Sequence, residues 1–358
     1  NRAAYVQDSW NVLPRLHLNI GLRAETDAVP PLRPNRANDG VRFGLPDRLA
    51  PRLAASYDLQ GNGRIRVSGG WGRFFDLTKF DLARTVLGAD TIWRVYYRSL
   101  DSLDVFRFGL QNNPGRNLWP GPNAYEDRMP GSFADAVDSK LKPVSQDQYF
   151  GGVDYEINPR LSVGANYVHN KLNRTIEDLL VRVGAFDNYM FANPGEGAAT
   201  TLTGTSGRTA PFQYPKPVRQ YDGIQLRLDP RMAQGWFGTA NYTYSRLRGN
   251  YAGLANSDSI LTPTTGRAFS VAQQQALSIS QAASYANVSY DLDEVLFGSK
   301  GHLDVNGPLA TDRPHVFKLN GGYELKTGTQ IGGFFYLGSG TPLSTLVWTR
   351  NQLPVFVN

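Results

Sequence analysis

Apolar and polar residues alternate with a period of two along ten stretches of the chain. They lie near 3–11, 16–25, 48–59, 64–75, 145–157, 161–172, 218–229, 236–246, 312–325 and 329–344. A period of two puts successive side chains on opposite faces of an extended backbone, so each stretch predicts a strand with one greasy side. In the second, Leu16, Leu18, Ile20 and Leu22 oppose His17, Asn19, Gly21 and Arg23. In the fourth, Ile65, Val67 and Trp71 oppose Arg64, Arg66 and Ser68; in the fifth, Tyr149, Val153, Tyr155 and Ile157 oppose Gln148, Asp154 and Glu156. The seventh sets Ile224, Leu226 and Leu228 against Gln225, Arg227 and Asp229. The ninth sets Phe317, Leu319, Tyr323 and Leu325 against Lys318, Asn320 and Glu324. Only the first stretch is untidy. Asp8 shares a face with Val6 and Trp10, and its nearness to the following turn suggests headgroup level.

The connections fall into two kinds that alternate without exception. Short ones, at Val12–Arg15, Gln60–Gly63, Asn158–Arg160, Pro230–Gly235 and Lys326–Gly328, hold the Pro, Gly and Asn that tight turns favour. Long ones span roughly 26–47, 76–144, 173–217 and 247–311. Loops of such length argue against a compact soluble domain. An outer-membrane barrel has them by design, with short turns on the periplasmic side and long loops outside. No window of 18 apolar residues exists, so any crossing of a membrane is by strands. A soluble sandwich also alternates its faces. Two features favour the barrel: the strict loop alternation, and Tyr57, Trp71, Tyr155, Trp236, Tyr244 and Tyr323 near strand ends, as an interfacial aromatic girdle requires. The expected fold class is therefore all-β, a partial transmembrane antiparallel up-and-down barrel of about ten strands in five hairpins.

Composition narrows the chemistry. The 358 residues contain no Cys, which removes disulfides and thiolate metal sites. A formal charge of +6 comes from scattered Lys and Arg, which suits solvated loops and a polar lumen and gives no nucleic-acid patch. Aromatics reach 12%, with 37 Gly and 22 Pro, as a turn-rich β protein needs.

Several motifs carry a resemblance. Tyr5-Val6-Gln7-Asp8-Ser9-Trp10, a turn, and Leu16 through Gly21-Leu22-Arg23-Ala24-Glu25 form a hairpin recurrent in TonB-dependent receptor barrels. Leu49 to Asp58, the Arg66-Val67-Ser68-Gly69-Gly70 segment, Asp312 to Asn320 and Gly338 to Ser344 resemble further strands of the same family. The late motifs look most like its Oar-like subgroup, whose members often carry an N-terminal carboxypeptidase-regulatory-like domain. The resemblance is strong at 1–75 and 312–344 and weak between. It implies a Gram-negative outer-membrane importer of a scarce solute, with lipid around it and the TonB energising complex as partner. It also implies a 22-stranded barrel filled by a plug that carries a short TonB box. Neither plug nor box is visible, and ten strands cannot close such a barrel. The expectation is a fragment, 1–358, of one barrel domain, lacking the plug and the remaining strands. An adhesin, a surface-organising barrel or a passive porin is the alternative, and a soluble sandwich lectin or enzyme a more distant one.

No enzyme and no cofactor is expected. His17, His169, His302 and His315 have no metal-ligand spacing, and Asp291-Leu292-Asp293-Glu294 lacks a calcium-loop pattern. The best candidate ligand loop is 76–144, where Trp93, Tyr96, Tyr97 and Trp119 stand among Arg94 and Arg98. Aromatic platforms with Arg donors suit small-molecule, glycan or peptide ligands, though the same aromatics could form the loop's own small core. Candidate lumen-facing residues are Arg23, Glu25, Arg64, Arg66, Arg227, Lys318 and Glu324. Arg23 and Glu25 are expected either to pair or to be separately solvated.

Overall fold

The structure is a computed structural model that describes residues 1–29, 40–78, 137–183, 186–197, 216–230, 235–251, 306–309 and 311–342, with short strands at 90–94, 124–128, 203–204, 345–348 and 354–357. Ten strands form one antiparallel sheet: β1 (Ala3–Leu13), β2 (Leu16–Glu25), β3 (Leu49–Asp58), β4 (Ile65–Phe75), β5 (Ser145–Asn158), β6 (Leu161–Arg174), β7 (Arg219–Pro230), β8 (Trp236–Gly249), β9 (His315–Glu324) and β10 (Gln330–Gly338). Each pairs with its neighbours in sequence, an up-and-down meander from β1 to β10. The residue pair Gly307–Pro308 adds to the upper end of β8.

Tight turns join the hairpins at one end. After β3, the Asp58 carboxylate accepts the backbone N–H groups of Gln60, Gly61 and Gly63 at 3.2, 2.9 and 2.7 Å. Gly61 and Gly63 hold φ of 74° and 76°, a left-handed conformation that side chains with a Cβ resist. Between β5 and β6, the Asn158 side chain accepts the Arg160 N–H at 2.9 Å. These carboxylate and amide contacts satisfy backbone N–H groups that the ladder leaves unpaired in the turns.

Four of the boundaries that differ from the sequence expectation have a local reason. β3 begins at Leu49 because Leu45–Arg48 winds into a 3-10 turn, closed by Gly44 N–H donating to Asp47 Oδ2 at 2.7 Å. β9 begins at His315 because Pro314 has no N–H to give the ladder. β10 stops at Gly338, before Gly340 and Pro342. β8 runs on to Gly249 because β7 continues beside it that far.

The registers decide which side chains share a face. Leu18 stands opposite Trp10 and Ala55, Val67 opposite Tyr57 and Val153, and Leu226 opposite Ala165 and Tyr242. The apolar sides of all ten strands thus join into one surface, and the polar sides into the other. The apolar surface is exposed: Ile224, Leu226, Leu319 and Phe335 are each 45–53% accessible. Water-soluble proteins rarely leave so continuous an apolar face uncovered, and a lipid-facing barrel wall does. Asp8 lies in mid-strand opposite Ile20, between Val6 and Trp10, and not beside the turn. It makes no hydrogen bond or ion pair among the described residues.

Four of the six girdle aromatics lie near strand ends and two do not. Tyr57, Tyr155, Trp236 and Tyr323 lie toward the turn end, where Trp236 and Tyr323 rings sit 4.8 Å apart. Trp71 and Tyr244 are in mid-strand, because β4 and β8 continue beyond the band. One row perpendicular to the strands reads Ile20, Leu53, Trp71, Tyr149, His169, Asp222 and Arg246, apolar first and charged last. Tilted strands produce that drift, since such a row climbs out of the membrane as it crosses the sheet.

The buried core lies in the long connections, beyond the strand ends. Val29, Val41, Phe43, Ile176 and Phe191 pack together, with Val137, Leu141 and Val144 against them. The strand Asp27–Val29 pairs with Val41–Phe43, and Glu177–Val183 pairs with Phe186–Ala192. Asn193 ties two connections together, donating to Lys142 O at 2.9 Å and Thr175 O at 2.7 Å. Long connections that looked structureless are partly β platforms.

Candidate functional site

The candidate residues lie on the polar face and at its long-loop end. Arg23, Glu25, Arg66, Arg227, Lys318 and Glu324 fall on that face by register, and Arg64 lies in the turn just before β4. They do not form one site. Arg23 donates to Glu25 at 3.1 Å near the long-loop end. Arg64 caps the opposite end, donating to the Ile157 carbonyl at 2.8 Å. Arg66 stands opposite Asp58 and Asp154. Arg227 bridges Asp154 at 2.8 Å and Asp229 at 2.5 Å, and Thr239 Oγ1 donates to Asp229 at 2.7 Å. Lys318 faces Asn241 and Tyr336, while Gln330 Nε2 donates to Glu324 at 3.1 Å. The wall is therefore a spread of separate polar and charged groups, some of them paired.

Glu25 has a second partner that the sequence did not reveal. Arg48, fully buried, reaches Glu25 at 2.6 Å and Asp27 at 2.9 Å. Asp27 also accepts from the Thr78 N–H and hydroxyl, at 2.8 and 2.9 Å. The Arg48 guanidinium lies 5.7 Å from the Phe75 ring centroid. This cluster clamps the starts of two long connections onto the strand ends below them.

Beside it is a cavity of about 310 Å³, lined by Phe74, Asp76, Thr78, Thr175, Arg219 and Tyr251 among others. Tyr251 donates to Glu177 and accepts from Thr175 Oγ1 at 3.0 Å. Burial, then the Glu177 carboxylate, pushes the Tyr251 hydroxyl well above its ordinary value of 10.0. It stays protonated at every physiological pH and acts as a fixed donor. Arg219 Nε is buried without a hydrogen-bond partner among the described residues. A buried donor left unpaired is costly unless something else satisfies it, and a polar or anionic solute could. Lower on the polar face, a shallow groove runs past Gln7, Asn19, Arg52, Gln148 and Phe150, with Arg52 stacked 4.8 Å from the Phe74 centroid. Arg48, Arg52, Arg219 and Tyr251 were not among the sequence candidates. Arg52 was legible from the alternation of β3; the other three depend on contacts made across long connections.

The candidate ligand loop is only partly described. Trp93 and Arg94 lie in the strand Asp90–Arg94, with Trp93 opposite Tyr125 in the strand Ala124–Arg128. Tyr96, Tyr97, Arg98 and Trp119 lie outside the described residues, as does the acidic run at 291–294. Among the described residues, no group of His, Asp and Glu is placed to hold a metal ion.

Comparison with known proteins agrees with the sidedness of the sheet. The chain is 30% identical over 361 residues to the TonB-dependent transporter Oar of Myxococcus xanthus, covering 95% of this chain and 30% of that protein. It spans less than a third of that relative's length. Among solved structures it is similar to the pyoverdine outer membrane receptor FpvA of Pseudomonas aeruginosa, at 14% identity and a TM-score of 0.49, covering 98% of this chain and 32% of the other. The outer membrane transporter YddB of Escherichia coli is similar at 11% identity and a TM-score of 0.49, covering 96% and 34%. A family profile described as "Outer membrane beta barrel domain" matches residues 1–346. The chain belongs to the outer-membrane β-barrel domain family.

Proposed function

We propose that this chain is part of the barrel wall of a TonB-dependent importer in the outer membrane, and that its polar face lines the solute path. The observation that carries the reading is one shared face that gathers the polar residues of β1 to β9, broken only by aromatics such as Phe74, Phe150, Phe237 and Phe334, and backed by an apolar face suited to lipid. The kinship with a TonB-dependent transporter adds the coupling to an energising complex. Arg23, Glu25, Arg64, Arg66, Arg227, Lys318 and Glu324 would face water in the lumen. Among the described residues the sheet has two open edges, at β1 and β10, and unpaired backbone at an edge is not tolerated in lipid. Further strands must close the barrel, and a plug would fill it in the whole protein. The cavity at Arg219 and Tyr251 would be an early station for a small-molecule, glycan or peptide ligand entering from the long-loop side.

Growth and uptake by a deletion strain across nutrient classes tests this. The expected result is loss of one solute class only, with the same loss in the parent when a protonophore removes the energy supply. Arg219→Ala should weaken uptake roughly tenfold at limiting solute, as expected for removing one charged hydrogen bond. Non-saturable uptake that survives the protonophore would replace this reading with a passive porin. An unchanged nutrient range with lost cell adhesion would replace it with an adhesin.

A further inference from the structure

A second cavity, of about 500 Å³, lies on the outward side of the wall, just above the apolar band. Leaving aside Arg219, which turns to the lumen by register, four cationic residues line it: Arg73, Lys171, Arg174 and Lys216. Two carboxylates answer them in part. Asp147 holds Arg73 at 2.8 Å, and Glu196 holds Arg174 and Lys216, each at 3.0 Å. Lys171 is exposed and forms no ion pair among the described residues, and Lys216 keeps a 59% exposed side chain.

The direction of these groups follows from register. Arg73, Asp147, Lys171 and Gln220 form one row across β4 to β7. Alternation places that row on the same face as Trp71, Tyr149, Tyr167 and Ile224, which is the lipid-facing one. A β-bulge between Leu172 and Arg174 brings Arg174 opposite Ser145, and so onto the face of Asp147. Without that extra residue Arg174 would point to the lumen. Farther along the same face, Arg246 and Arg248 are also exposed. Cationic side chains in surplus, outward-facing and directly above an aromatic belt, sit at the depth of lipid headgroups.

We propose that this rim binds phosphorylated headgroups of lipids in the leaflet at the long-loop end, with Lys171 as the free cation, the exposed Lys216 shared with Glu196, and Arg73 and Arg174 fixed by their carboxylates. The inference rests on the membrane placement of the barrel and not on the transport reading. The test is native mass spectrometry of the full-length protein released from micelles doped with a phosphorylated anionic lipid or a zwitterionic lipid of the same acyl chains. The anionic lipid should be retained preferentially, and less so as salt is raised. Lys171→Ala with Lys216→Ala should lower retention about tenfold, while Lys171→Arg with Lys216→Arg should keep it. Equal retention of the two lipids, or an alanine variant that retains as much as the parent, overturns the proposal. Displacement by millimolar inorganic phosphate also overturns it, by showing a free-ion site instead. Should the alanine variant fail to fold, judged by heat-dependent gel migration, the lipid preference and its salt dependence decide.

Discussion

At the scale of single residues, the described structure concentrates its buried charge at the long-loop end of the sheet. Arg48 has no exposed surface and two carboxylates within 3 Å, Glu25 at 2.6 Å and Asp27 at 2.9 Å. Removing one partner of such a buried group leaves the others uncompensated and costs about 3–5 kcal/mol. Arg48→Ala is therefore expected to loosen the 26–48 connection, seen as faster proteolysis there with the ten strands still intact by circular dichroism. Glu196 gives a pH-dependent case. Burial raises its carboxyl, but hydrogen bonds from Lys216 and then Arg174 outweigh this and hold it below its ordinary 4.5. A carboxyl that titrates lower when folded stabilises the fold above its unfolded value, and that stability is lost as pH falls through the folded value. Hydrogen exchange around 193–197 should thus be flat from neutral pH down to about 4.5 and accelerate below it, after correction for the intrinsic rate. An unchanged corrected rate at pH 3 would remove Glu196 from the account.

At the scale of elements, glycine decides how closely neighbouring strands and rings approach. A Cβ on Gly70 would meet the Leu53 carbonyl oxygen at 2.5 Å and the Phe150 ring at 2.7 Å. The Phe150 ring, opposite Gly70 on the polar face, occupies the space that a side chain on Gly70 would take. Gly70→Val must displace that ring and strain β3 against β4, at about 1–3 kcal/mol for overpacking. The expected readout is a lower urea midpoint for unfolding from phospholipid vesicles. Gly333, where an added Cβ would meet nothing within 4 Å, is the control. Elements also account for the girdle. Strands β4 and β8 outrun the lipid band, so Trp71 and Tyr244 mark its edge from mid-strand. Strand length by itself therefore misplaces the interface.

At the scale of the whole molecule, the two faces make opposite demands on neighbouring residues of one strand. Leu226 is on the apolar face and Gln225 on the polar one. Arg in place of Leu226 puts a charge into lipid, which costs about 2–4 kcal/mol near the midplane. Arg in place of Gln225 enters a surface already bearing Arg227 and should cost much less. Folding both variants into vesicles and comparing urea midpoints checks the assignment of faces. Similar losses in the two would mean that both faces are buried against protein, and the membrane reading would fail.

Strand positions, the two-sidedness of the sheet and the division into tight and long connections were written in the chain itself. These properties depend on a residue's neighbours one and two places away: the pleat alternates locally, and Asp58, Gly61 and Gly63 close their turn within six residues. Arg23 and Glu25, two places apart, were legible as neighbours on one face for the same reason, but the sequence left open whether they pair or are separately solvated, and the structure pairs them at 3.1 Å. Tertiary structure alone decided that Arg227 would find Asp154, that Arg48 would claim both Glu25 and Asp27, and that Tyr251 would meet Glu177. Each of these contacts spans 20 to 75 residues. Alternation says that a side chain is polar-facing, but register and the path of the long connections set which charge stands opposite it. An ion pair a few ångströms long cannot be specified until both of those are fixed.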